Sequence, residues 1–72
     1  MQGKTEELTN VGLQSYVKGL GQEERVMLKN YVAFKFRKSY FTVNEKFSGR
    51  QKFSATELLA LQPIIANELW RQ

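Results

Sequence analysis

The sequence predicts a small, mainly α domain of three helices, with a short loop or β-hairpin between the second and third. Three observations carry that expectation. Apolar residues recur at helical spacing near residues 10–19, 22–38 and 55–71. Gly19, Gly21 and the Ser54-Ala-Thr-Glu57 box supply helix stop and start signals between those stretches. Residues 39–53 change character, mixing β-branched, aromatic and turn-forming residues.

Residues 1–9 are polar and read as a flexible lead-in. Thr9 or Asn10 is suited to cap the first helix, because either side chain can accept a bond from an orphaned backbone N–H. Leu13, Tyr16, Val17 and Leu20 follow at i, i+3, i+4 and i+7, one apolar stripe. Gly19 and Gly21 end it. The second helix opens on Gln22-Glu23-Glu24, negative charge where the helix dipole favours it. Met27, Leu28, Tyr31, Val32 and Phe34 then form a broad apolar face, and Lys35, Arg37 and Lys38 close the helix at its favourable end for cations. Val32, Phe34 and Phe36 alternate as a strand would. The run from Glu23 to Lys38 holds neither Gly nor Pro, which favours helix.

Tyr40-Phe41-Thr42-Val43 has strand-forming chemistry, and Asn44 and Ser48-Gly49 are turn residues. A loop with some extended pairing, pinned by Phe41, Phe47 and Phe53, is expected there. Ser54 and Glu57 then form a capping box, with Phe53 and Leu58 at the positions of a hydrophobic staple. Leu58, Leu59, Leu61, Ile64, Ile65 and Leu69 wrap more than one face of the last helix, and Pro63 should kink it.

A chain of 72 residues corresponds to one domain. Chains this short bury only about 60% of their extended surface, so the core is small. The sequence contains no Cys, no His and no Asp. Disulfides, thiolate or imidazole metal sites and histidine general-base chemistry therefore lack their functional groups. A non-enzymatic protein without a cofactor is the expectation. No segment reaches the ~20 apolar residues of a membrane span, and the N-terminus has no apolar signal core. Those features suggest a soluble, cytoplasmic protein.

Charge is concentrated in the middle of the chain. Lys29, Lys35, Arg37, Lys38, Lys46, Arg50 and Lys52 face one acid, Glu45, so residues 29–52 carry +6 of a chain whose net charge is +4. Tyr31, Phe34, Phe36, Tyr40, Phe41, Phe47 and Phe53 lie in or beside the same stretch. Cations neutralise phosphates and flat rings stack on bases, so this mixture suits nucleic acid. An uncompensated belt also repels itself, which a polyanion relieves. Most of the rings, Tyr31, Phe34, Phe41 and Phe53 among them, fit the core. Phe36 and Tyr40 fall off the Met27–Tyr31–Phe34 stripe. The expected nucleic-acid contacts are accordingly Lys35, Arg37, Lys38, Arg50 and Lys52 on phosphates, with Phe36 and Tyr40 for stacking.

The alternative is a protein-binding adaptor or inhibitor, with the basic belt steering toward an acidic protein surface. Its surface would be the apolar excess of the last helix, with Leu59, Ile64 and Trp70 as contacts and a homodimer as the economical arrangement. The order of elements also fits a winged helix-turn-helix. Against that, the start of the second helix is acidic and would repel phosphates. No phosphate-binding glycine loop, dinucleotide fingerprint, zinc pattern or aromatic RNA-recognition signature is present.

Overall fold

The computed structural model describes residues 8–72, which form four α-helices and a terminal 3₁₀ turn. These are α1 (Asn10–Lys18), α2 (Gln22–Phe36), α3 (Tyr40–Ser48), α4 (Ala55–Ala66) and η1 (Leu69–Arg71). The mainly α class holds. Residues 1–7, and with them most of the lead-in expected to be flexible, lie outside the described residues.

Thr9 caps α1, its hydroxyl accepting the Gly12 N–H at 3.0 Å. Asn10 is therefore free for another task. Its side-chain amide pairs with the backbone of Phe53, 43 residues away: Oδ1 accepts the Phe53 N–H at 2.8 Å and Nδ2 donates to the Phe53 carbonyl at 3.3 Å. Leu13 and Val17 face inward, as their spacing predicts. At the other end of α1, the Arg25 guanidinium donates to the carbonyls of Val17, Leu20 and Lys18, satisfying acceptors that the helix end leaves open.

In α2 the buried stripe is Leu28, Val32 and Ala33, with Phe36 packed beside them. Of the expected face, Leu28 and Val32 are thus buried and Tyr31 packs against the core, whereas Met27 and Phe34 are exposed. Two apolar stripes satisfy the helical period here, and the one that continues to Phe36 meets the rest of the core. The helix stops at Arg37, whose φ of 56° is left-handed, and the Lys38 N–H turns back to the Ala33 carbonyl at 3.0 Å.

The segment expected to be a loop or hairpin contains α3 instead. No strand occurs among the described residues, so the hairpin and the wing of a winged helix-turn-helix have no counterpart. Local boundary chemistry overrides strand propensity. The Ser39 hydroxyl accepts the Thr42 N–H at 3.1 Å, a helix N-cap. Gly49, expected in a turn, is a left-handed C-terminal stop with φ 97°. Between these ends Val43 and Phe47, four apart, bury on one face. Helix α3 packs against α1 and α2.

Helix α4 starts with the expected capping box: Glu57 N–H to Ser54 Oγ at 3.2 Å, and Ser54 N–H to Glu57 Oε1 at 2.8 Å. It continues through Pro63 to Ala66, short of the expected end at residue 71. Glu68, at φ 51°, breaks it, and η1 folds back against α2 and α4. Trp70 thereby enters the core, and Arg71 pairs with Glu24 at the start of α2. The core comprises Leu13, Val17, Leu28, Val32, Ala33, Val43, Phe47, Phe53, Leu61, Ile64 and Trp70.

Asn10→Ala should cost about 1–3 kcal/mol, because it leaves the N–H and C=O of Phe53 unpaired in a part-buried site. Urea unfolding followed by circular dichroism measures this. A loss of a few tenths would mean that water replaces the clamp.

Candidate nucleic-acid interface

Phe53 decides where the basic residues meet. Its ring is 4% exposed and sits edge-on to Phe47 at 5.0 Å and to Phe36 at 6.4 Å between centroids. The contact with Phe36 draws the loop carrying Arg50 and Lys52 toward the C-terminal end of α2, which carries Lys35, Arg37 and Lys38. The Lys46 ammonium lies 5.6 Å from the same ring.

The seven cations of the belt do not share one fate. Lys46 forms an ion pair with Glu57 at 3.0 Å, both side chains mostly buried. Arg50 reaches Glu45 at 3.4 Å while remaining largely in solvent, a weak surface pair. Lys29 donates to the Asn44 carbonyl oxygen at 2.8 Å. Burial, together with the charge of Arg25, lowers the pKa of Lys29 below the usual lysine value. Lys35, Arg37, Lys38 and Lys52 are exposed and make no ion pair among the described residues. Lys35 also lies 5.6 Å over the ring of Tyr31.

Glu57 links this basic end to the fold. Burial pushes its carboxyl up, but the Ser54 N–H, the Lys46 ammonium and the charges of Lys46 and Lys38 outweigh that effect. The result is a pKa below the ordinary 4.5. At the far end of α2, the Arg71 guanidinium and then the Gly21 N–H lower the pKa of Glu24 in the same direction. Arg71 is raised in return, chiefly by its bond to Glu24.

The aromatic expectations change places. Phe36, expected to stack on bases, packs on the core against Phe53. Tyr40 is exposed as expected. Phe34 and Phe41, expected in the core, are the most exposed rings at 78% and 67%. The signal for Phe34 was its place opposite the Leu28–Val32–Phe36 stripe. For Phe41 it was recognition of α3, in which Val43 and Phe47 take the buried face.

The contacts expected for an adaptor do not form one surface. Ile64 and Trp70 are buried in the core, whereas Leu59 is 64% exposed beside a shallow groove lined by Leu8, Ala55, Leu58 and Gln62. Leu61 and Ile64 bury on one side of α4, and η1 packs against it. A second cleft gathers Lys18, Arg25 and Lys29 with Gln14 and Ser48. Arg25 is engaged there by backbone carbonyls and Lys29 by Asn44. Among the described residues no group of acidic side chains could hold a metal ion, and no helix is long and apolar enough to cross a membrane.

No protein-family model, curated protein or solved structure matches the chain.

The lowered Glu57 carboxyl has a defined pH consequence. A carboxyl with a folded pKa below its unfolded value stabilises the fold above about pH 4.5 and loses that contribution as pH falls through the folded value. Glu57→Gln should cost about 1 kcal/mol at neutral pH through loss of the Lys46 ion pair, because a Gln oxygen can still accept the Ser54 N–H of the capping box. It should also flatten the fall in stability below about pH 4.5. Thermal melts of both proteins between about pH 7 and 3 measure the difference. Parallel curves would show that Glu57 plays no part in acid unfolding.

Proposed function

We propose that this chain is a small, non-enzymatic, cytoplasmic accessory protein that binds nucleic acid through the basic end formed by α2 and the loop before α4. The observation that carries the reading is the set of four exposed cations, Lys35, Arg37, Lys38 and Lys52, that make no ion pair among the described residues and flank in sequence the Phe36 and Phe53 rings that pack together. Arg50 joins them once its weak pair with Glu45 is exchanged for a phosphate. Tyr40 and Phe41 supply flat apolar surface for unstacked bases, a role for which the packed Phe36 is unsuited.

Cations at a helix C-terminus and in an adjoining loop suit the sugar–phosphate backbone and single strands. The start of α2 carries Glu23 and Glu24, which disfavours insertion of that end into a major groove. An acidic protein surface is the competing partner, and it lacks bases for the exposed rings to stack on.

Fluorescence anisotropy with labelled single- and double-stranded oligonucleotides, from about 50 to about 300 mM salt, tests the reading. Four neutralised phosphates on a single strand correspond to a log–log salt slope of about −3. Lys38→Glu combined with Lys52→Glu should abolish binding, whereas Lys18→Glu, a reversal on α1, should weaken it only slightly. No binding at the lowest salt, or equal loss from both sets of variants, would remove nucleic acid as the partner.

A further inference from the structure

We propose that the outer face of α2 is a self-complementary dimer surface, on which a second copy of this chain packs antiparallel about a two-fold axis at Asn30. Helix α2 is apolar on two faces. One holds Leu28 and Val32 in the core; the other presents Val26, Met27 and Phe34 to solvent. Glu23, Val26, Met27, Asn30 and Phe34 fall within an arc of about 100° when projected at 3.6 residues per turn, and Arg37 follows as the left-handed residue that ends the helix. All six are exposed. Such a stripe, on a helix whose other side is already packed, is the geometry of a helix–helix seam.

The order of residues along the stripe identifies the occupant. An antiparallel copy centred on Asn30 places each position 30 − n opposite 30 + n. Phe34 then meets Val26 of the second copy, with Met27 beside it. Glu23 meets Arg37 of the second copy, and the reverse pair forms at the other end. Neither Glu23 nor Arg37 makes an ion pair within the chain among the described residues. Shallow depressions lie at both ends of the stripe, one lined by Gln22, Glu23, Val26 and Met27 and the other by Ala33, Phe34, Lys35 and Arg37. The first receives the Phe34 ring and the second the Met27 side chain. At the axis, the two Asn30 amides both donate and accept, so they can bond to each other and fix the register. A parallel copy would set Glu23 against Glu23 and Arg37 against Arg37, which charge forbids. The face therefore complements itself in apolar contact, in charge and at its polar centre, but only in one direction.

The chain contains no cysteine, so introduced thiols report directly on this geometry. Under mild oxidation, Asn30→Cys should give a disulfide-linked dimer. Glu23→Cys should not, because its two copies sit about 21 Å apart along the antiparallel axis. Sedimentation equilibrium of the unmodified chain should show a reversible dimer. Phe34→Glu, at an exposed position, should raise its dissociation constant about 100-fold or more. Arg37→Glu should raise it about tenfold, and Glu23→Lys added to Arg37→Glu should restore it to within about threefold. A monomer at about 500 μM, a dimer indifferent to Phe34→Glu, or equal cross-linking at positions 23 and 30 would overturn the proposal. Arg37 belongs to both surfaces, so the readings are separated by variants that avoid it: Lys38→Glu with Lys52→Glu leaves the apolar face intact, and Phe34→Glu leaves those cations intact.

Discussion

One residue in a loop, Phe53, holds this fold together. Its ring packs on Phe47 of α3 and Phe36 of α2. Its backbone is clamped by Asn10 of α1, and it stands immediately before the Ser54 cap of α4. All four helices thus converge on one position. The physical requirement behind the clamp is strict: a ring this deeply buried carries its own peptide groups away from water, and those groups need partners. A primary amide, with an NH2 that donates and a carbonyl oxygen that accepts, meets both needs at once.

The same convergence organises the surface. Phe53 packs on Phe36, so the loop before α4 meets the end of α2, and the chain on either side of that contact carries Lys35, Arg37, Lys38 and Lys52. Lys46, inside this group, is neutralised by Glu57, whose other task is to cap α4. Structural cations and available cations are thereby separated. Those that brace the fold, Arg25, Lys29 and Lys46, are engaged by carbonyls, an amide and a carboxylate. Lys35, Arg37, Lys38 and Lys52 are exposed and make no ion pair among the described residues.

Helix positions and caps were legible in the residues to differing degrees. The Ser54–Glu57 box and the Leu13–Val17 stripe read directly, because each is a local pattern with one physical solution. Helix α3 was obscured because Tyr40-Phe41-Thr42-Val43 favours strands and Ser48-Gly49 suits turns. The decisive facts were the Ser39 cap and the left-handed Gly49, nine-residue punctuation around a Val43–Phe47 pair. In α2 the period was correct and the expected face was too broad: Leu28 and Val32 bury and Tyr31 packs beside them, while Met27 and Phe34 at its edge face solvent. Which of two apolar stripes turns inward depends on what the other helices offer. The basic residues were legible as a group; their division into paired and unpaired depends on contacts such as Lys46–Glu57, eleven positions apart.

Hydrogen exchange at the Phe53 amide tests the central role of this residue most directly. The Gln51 N–H is held by the Glu45 carbonyl, but Lys52 is exposed and its N–H meets no carbonyl among the described residues, so an ordinary loop would exchange at Lys52 and Phe53 together. We expect the Phe53 N–H to be protected to within about tenfold of the Leu28 and Val32 amides, opening only when the whole domain unfolds. Exchange at the rate of its loop neighbours would contradict this, and would place the anchor of the four helices elsewhere.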